Sequence, residues 1–195
     1  GIIERNGKDL LLLVNQLLGL SKAESGAMEL DLIQADVVPF LRYICESFQS
    51  LAKTTDIDIT TYFETETLAM DFDDGKLQII IFNLLSYPIK FPPDGQKIIF
   101  HVKKETNDGV DSLVLKVKDY GVGIPEKALP HIFDRFYQVE NSFSKTGNGT
   151  GIGLALTKEL VTLMKGDITV KSTQKKGTEF IVKIPVTRSA STSTT

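Results

Sequence analysis

The sequence predicts an α+β fold. Stretches with helical spacing of apolar residues are interleaved with short stretches of alternating apolar and polar residues, and a hairpin-like pair of strands runs into a glycine turn. The length of 195 residues points to about one domain. Apolar residues make up 42 % and charged residues 24 %, which is ordinary for a folded globular chain and excludes whole-chain disorder.

The leading segment places Ile3, Leu10 and Leu17 in one seven-residue series and Asn6, Leu13 and Leu20 in another, a coiled-coil seam. Leu11, Val14 and Leu18 widen it to one wall of a larger bundle, and Ser25-Gly26 supplies a stop. Asp36 is placed to cap a helix reaching about Lys53, with Val37, Val38, Phe40, Leu41, Ile44, Phe48 and Leu51 on one side. Ile57–Phe63 and Thr67–Asp71 read as strands, and Asp73 or Asp74 starts a helix carrying Leu77, Ile80, Ile81, Leu84 and Leu85 that Pro88 disturbs. Lys97–Lys104 and Ser112–Lys118 follow as strands. Residues 137–150 read as a polar, glycine-containing loop, and a helix from Gly151 or Ile152 to Lys165 comes next. Strands Asp167–Lys171 and Thr178–Pro185 close the domain. The expected division is a partial bundle helix over 1–26, one domain over 27–188 and a disordered linker over 189–195.

A net charge of −3 offers no general field for nucleic acid or anionic lipid, so a polyanion must be bound locally. Cys45 is the single cysteine. It excludes an internal disulfide and, with only His101 and His131, leaves too few ligands for an ordinary zinc site, which fits a reducing, cytoplasmic setting. The longest apolar run, near Leu10–Leu18, is interrupted by Asn15 and Gln16 and is too short to span a bilayer, so no membrane contact is expected.

The chemistry concentrates in two glycine clusters, Asp119-Tyr120-Gly121-Val122-Gly123-Ile124-Pro125 and Gly147–Leu154. Glycines that open a helix let free N–H groups and the positive helix end face a phosphate. No Gly-Lys-Ser/Thr follows, so this is not a P-loop. The cluster also comes too late in the chain for a dinucleotide-binding unit. Asp119 ends an alternating strand, where its carboxylate can accept the exocyclic amine of adenine, and Asn83 and Lys90 lie on one face of the preceding helix.

With these residues in hand, the sequence resembles the ATP-binding domain of sensor histidine kinases in the GHKL superfamily. Ile81-Phe82-Asn83-Leu84-Leu85-Ser86 with Ile89-Lys90-Phe91 looks like the N box, Asp119–Pro125 is similar to the G1 box, Ile132–Tyr137 to the F box and Gly149–Leu154 to the G2 box. Lys176–Phe180 resembles the last glycine motif, the leading helix resembles the second helix of the dimerisation and phosphotransfer domain, and the wording is nearest to hybrid sensors.

The resemblance implies a two-layer α/β sandwich, a mixed sheet packed on three helices and preceded by one long dimerisation helix, with ATP and Mg²⁺ as ligands. Asp119 and Thr178 are expected at the base, Phe91 and Ile124 against it, and Lys90, Arg135, Lys145, Thr150, Leu154 and the glycines at 121, 123, 149, 151 and 153 around the nucleotide. Phe133 and Phe136 are expected either to anchor the loop or to touch the phosphotransfer helices, and Phe133 reads equally well as ordinary core. Implied partners are the histidine-bearing helix, absent from this sequence, a response-regulator receiver domain and a second copy, with no direct nucleic acid. The implied setting is the cytoplasmic part of a membrane-anchored sensor.

Tyr87-Pro88 stands where the family's N box has Asn-Ala, and that Asn is the family's Mg²⁺ ligand. A neutral phenol is a poor ligand for a hard cation, which leaves Asn83 as the weak metal and catalytic candidate. Pro88 costs about 3 kcal/mol in a helix interior and is expected to shift the turn carrying Lys90. Gln138, where many relatives carry Arg, removes another cation. Two readings therefore stand: an ATP-dependent protein-histidine kinase domain acting on a histidine outside this sequence, or a degenerate signalling module that binds Mg-ATP weakly or not at all. Hydrolytic relatives use a Glu where Asn83 stands, which disfavours an ATPase. Serine kinases of the anti-sigma type lack the leading helix.

Overall fold

This computed structural model describes residues 2–52, 57–89, 97–139 and 150–190. In chain order come helix α1 (Ile2–Glu24), strand β1 (Ile33–Asp36), helix α2 (Val37–Ala52), strands β2 (Asp58–Phe63) and β3 (Ala69–Phe72), and helix α3 (Asp74–Ile89). Strands β4 (Lys97–Asn107) and β5 (Val110–Asp119), a 3-10 helix (Glu126–His131), helix α4 (Gly153–Leu163) and strands β6 (Asp167–Thr173) and β7 (Gly177–Pro185) complete the fold.

The main sheet has the order β2-β4-β5-β7-β6, with β2 and β4 parallel and every other neighbour antiparallel. Alternation puts Phe100 and Val102 of β4, Leu115 and Val117 of β5 and Phe180 and Val182 of β7 on one face. There they meet Leu41, Ile44 and Phe48 of α2, Leu77, Ile81 and Leu84 of α3 and Leu156 and Leu160 of α4 in one core. The mixed sheet on three helices is the architecture the sequence predicts. Among the described residues no helix is long and apolar enough to cross a membrane.

Local chemistry explains most boundaries. Asp36 Oδ1 accepts the Val38 N–H at 3.1 Å and the Leu68 N–H at 2.9 Å, so it caps α2 as expected and ties it to the approach to β3. Asp73 Oδ1 accepts the Lys76 N–H at 2.9 Å and caps α3. The β4–β5 hairpin turns through Asp108 (φ 50°) and Gly109 (φ 78°), the two positive angles of a type I′ turn.

Other features add to or differ from the sequence reading. Helix α3 runs through Pro88, which lies in the last of its described turns. The seam on α1 is not uniformly open. Leu20 is 1 % exposed in the domain core and Leu13 is half-buried, while Leu11, Val14, Leu17 and Leu18 are exposed. The sequence reading also omits β1, which pairs antiparallel with β3 in a separate two-stranded sheet, and the 3-10 helix.

Candidate functional site

The C-terminal end of β5 delivers Asp119 to the core side of the sheet, where it is 4 % exposed. Its Oδ1 accepts the Gly121 N–H at 2.8 Å. Burial pushes its carboxyl above the ordinary carboxylate range, while the N–H groups of Gly121 and Thr178 oppose that shift by favouring the anion. Beside it Ser172 organises the start of β7: its hydroxyl donates to the Gly177 carbonyl at 2.9 Å, accepts the Ile124 N–H at 2.8 Å and lies 2.9 Å from the Thr178 hydroxyl. Ser172 spends its proton on Gly177, so Thr178 is the donor of that pair and keeps lone pairs to offer a ligand. Gly177 has φ +98° and a Cβ there would lie 2.0 Å from the Asp119 carbonyl oxygen, so only glycine lets β7 start against the end of β5. A pocket of about 380 Å³ opens here, lined by Asp119, Thr178, Ser172, Leu129 and Val170 and by Lys118, Lys171 and Lys176.

Helix α4 begins near this region at Gly153, and its N-cap, Ile152, makes no side-chain cap. Asn83 joins α3 to this first turn: Nδ2 donates to the Gly153 carbonyl and to the Thr157 hydroxyl, each at 3.1 Å. Gly151, at φ +68°, would place a Cβ 2.6 Å from the backbone of Phe136, whose N–H donates to the Gly151 carbonyl at 2.9 Å. The second glycine cluster is thereby fastened to the segment before it.

The structure brings Asp119, Gly121, Gly123, Ile124 and Thr178 together at the sheet end, and Asn83, Thr150, Gly151, Gly153 and Leu154 together at the start of α4. Ile124 is 2 % exposed and belongs to the core. Arg135 lies apart from both groups. It is paired with Glu24 at the end of α1 by ion pair and hydrogen bond, because the F box lies against that helix. Phe133 stacks edge-on with Phe180 at 6.5 Å under the Lys158 ammonium, and Phe136 is 61 % exposed. Lys90, Phe91, Lys145 and Gly149 lie outside the described residues. Sequence reasoning missed Ser172, whose signal is a hydroxyl on the inward face of a strand after Ile168 and Val170. It also missed Glu24, which nothing local marks.

Tyr87 is half-buried, its ring edge-on to Phe180 at 5.2 Å. Burial and, next, the negative charge of Asp119 push its phenol well above the ordinary value, so it stays neutral beside the pocket. Among the described residues no group of His, Cys, Asp and Glu side chains is arranged to hold a metal ion. Tyr87 is neutral, and the bonds that tie Asn83 to α4 are made by its Nδ2, so among the described residues the Asn83 Oδ1 is the oxygen that would hold Mg²⁺. His131 sits on the surface with Nδ1 2.8 Å from Asp134, and His101 is on β4 with Nε2 2.8 Å from Glu64.

Residues 72–188, from the end of β3 to just beyond β7, match the family described as histidine kinase-, DNA gyrase B- and HSP90-like ATPases. The chain belongs to that family. It is 33 % identical over 187 residues to hybrid signal transduction histidine kinase D of Dictyostelium discoideum, covering 95 % of this chain and 12 % of that protein. To sensor histidine kinase RcsC of Escherichia coli (strain K12) it is 34 % identical over 183 residues, covering 93 % of this chain and 19 % of the relative. The crystal structure of full-length ShkA in complex with AMPPNP superposes with a TM-score of 0.80 at 27 % identity, over 95 % of this chain and 38 % of that one. The chain thus spans well under half the length of each of these three proteins.

Proposed function

We propose that the chain is the ATP-binding kinase domain of a two-component sensor histidine kinase, and that it transfers the γ-phosphoryl group to a histidine outside these residues. The observation that carries this reading is the buried Asp119 carboxylate at the end of β5. It accepts the backbone N–H groups of Gly121 and Thr178 and shares a pocket with Thr178. An adenine amine donates to the carboxylate, and the uncapped start of α4 is the complementary place for phosphate oxygens. The family match supports the same ligand, as does the AMPPNP bound to ShkA. Its proposed partners are a receiver domain of a response regulator and a second copy through α1, in the cytoplasmic part of a membrane-anchored sensor.

One observation favours a second reading, a degenerate module that binds Mg-ATP weakly or not at all and signals through conformation or dimerisation: Tyr87 packs on Phe180 at the N-box position where the kinase reading needs a metal ligand. Calorimetric titration with a non-hydrolysable ATP analogue, with and without Mg²⁺, tests both. Adenine-dependent binding supports the site. A Mg²⁺-dependent affinity supports the kinase reading and a metal-indifferent one the second. No binding at millimolar analogue overturns the kinase reading and supports the second.

A further inference from the structure

β3 is four residues long, yet two buried aspartates at its end hold several separate stretches of chain. The Asp71 carboxylate, 4 % exposed, accepts the Ser189 N–H at 2.6 Å and hydroxyl at 3.1 Å on Oδ2, and the Ala190 N–H and Gln34 Nε2 at 3.2 Å each on Oδ1. Its own N–H donates to the Thr187 carbonyl at 2.8 Å, and Arg188 Nε donates to the Ala69 carbonyl at 2.9 Å. A strand residue turns its N–H and carbonyl to the same side, so 187–190 lies on the edge of β3 opposite β1. Two residues on, Asp73 Oδ2 accepts the Asp31 N–H at 2.9 Å and the Lys76 ammonium at 2.5 Å, while Oδ1 caps α3. Asp31 belongs to the stretch that joins α1 to β1.

We propose that β3 is a coupling strut: Asp71 fixes the direction in which the chain leaves β7 and, with Gln34 and Asp73, ties that exit to the α1–β1 connection and to the first turn of α3. A buried carboxylate that loses some of its donors is left unsatisfied, so the strands on either side of Asp71 stay docked together or loosen together. A displacement arriving along α1 therefore reaches both the exit and α3, the helix that carries Asn83 and Tyr87. The proposal is independent of the nucleotide reading.

The test is amide hydrogen exchange on the whole chain and two variants. Asp71→Asn keeps the volume but replaces an accepting oxygen with an amide donor that cannot take a tail N–H. Loss of a charge-assisted hydrogen bond should speed exchange at Ser189 and Ala190 by about tenfold or more. A smaller acceleration should follow at Asp31 and in β1, with Leu115 in β5 unchanged. Gln34→Ala, which leaves the carboxylate in place, should raise exchange at Ser189 by a lesser factor. Unchanged Ser189 and Ala190 in Asp71→Asn, or acceleration confined to the tail in both variants, overturns the proposal. If Asp71→Asn exposes Leu115 equally, Gln34→Ala decides: no effect at Ser189 overturns it.

Discussion

Burial disfavours a charge on Asp119, and the backbone N–H groups of Gly121 and Thr178 favour it. Asp119→Asn preserves an acceptor for Gly121 and removes the buried charge, so thermal stability should be equal or higher. Adenine-nucleotide affinity should fall about tenfold to a hundredfold, the worth of one hydrogen bond to a charged group, when read by calorimetry. Tyr87 is the opposing residue, neutral and packed on Phe180 at the position where the proposed kinase reading calls for a metal ligand. The double change Tyr87→Asn with Pro88→Ala should strengthen ATP binding and make it Mg²⁺-dependent, and an affinity indifferent to both would show that the metal position is not what limits the site. Asp119 and the glycines were legible because a carboxylate and a left-handed turn at strand ends have few ordinary uses, whereas Thr178 was named only through the family resemblance. Ser172 and the Arg135–Glu24 pair were not, since their partners are set by tertiary packing rather than by spacing.

At the scale of elements, α1 lies on the domain instead of standing clear of it. Gly19 sits close to Leu156 of α4, Leu20 enters the core, and Thr150 and Arg135 bond to Gln16 and Glu24. Leu11, Val14, Leu17 and Leu18 remain in water, and covering them is worth about 1.5 to 3 kcal/mol for each side chain fully buried. The chain should therefore self-associate at micromolar concentration in sedimentation, and Leu17→Glu should return it to monomer without loss of helix signal. A chain that stays monomeric with α1 ordered contradicts this. Helices and long strands were readable because their apolar period persists for several turns or pairs. β1 has only four residues and exists by pairing with β3, and the short 3-10 helix contains Pro130, so neither leaves a periodic trace.

For the whole molecule, the carboxylates set the acid limit. Burial works against the Asp71 anion, but the N–H groups of Ser189 and Ala190 and the Gln34 and Thr187 side chains outweigh it and hold the carboxyl at about 2, below its ordinary 3.8. The folded group thus binds a proton less readily than the unfolded one. Its stabilisation is complete above pH about 4 and is lost as pH falls through about 2. Denaturant midpoints should decline across that window, and Asp71→Asn should decline less. Among the described residues His101 and His131 stand on the sheet and the surface beside carboxylates, so the chain by itself should take up no stable label from γ-labelled ATP. The account rests most directly on adenine recognition at Asp119. Titrating the chain and its Asp119→Asn variant with a non-hydrolysable ATP analogue should give saturable binding that the substitution weakens at least tenfold. Equal affinity in the two proteins, or none in either, would contradict it.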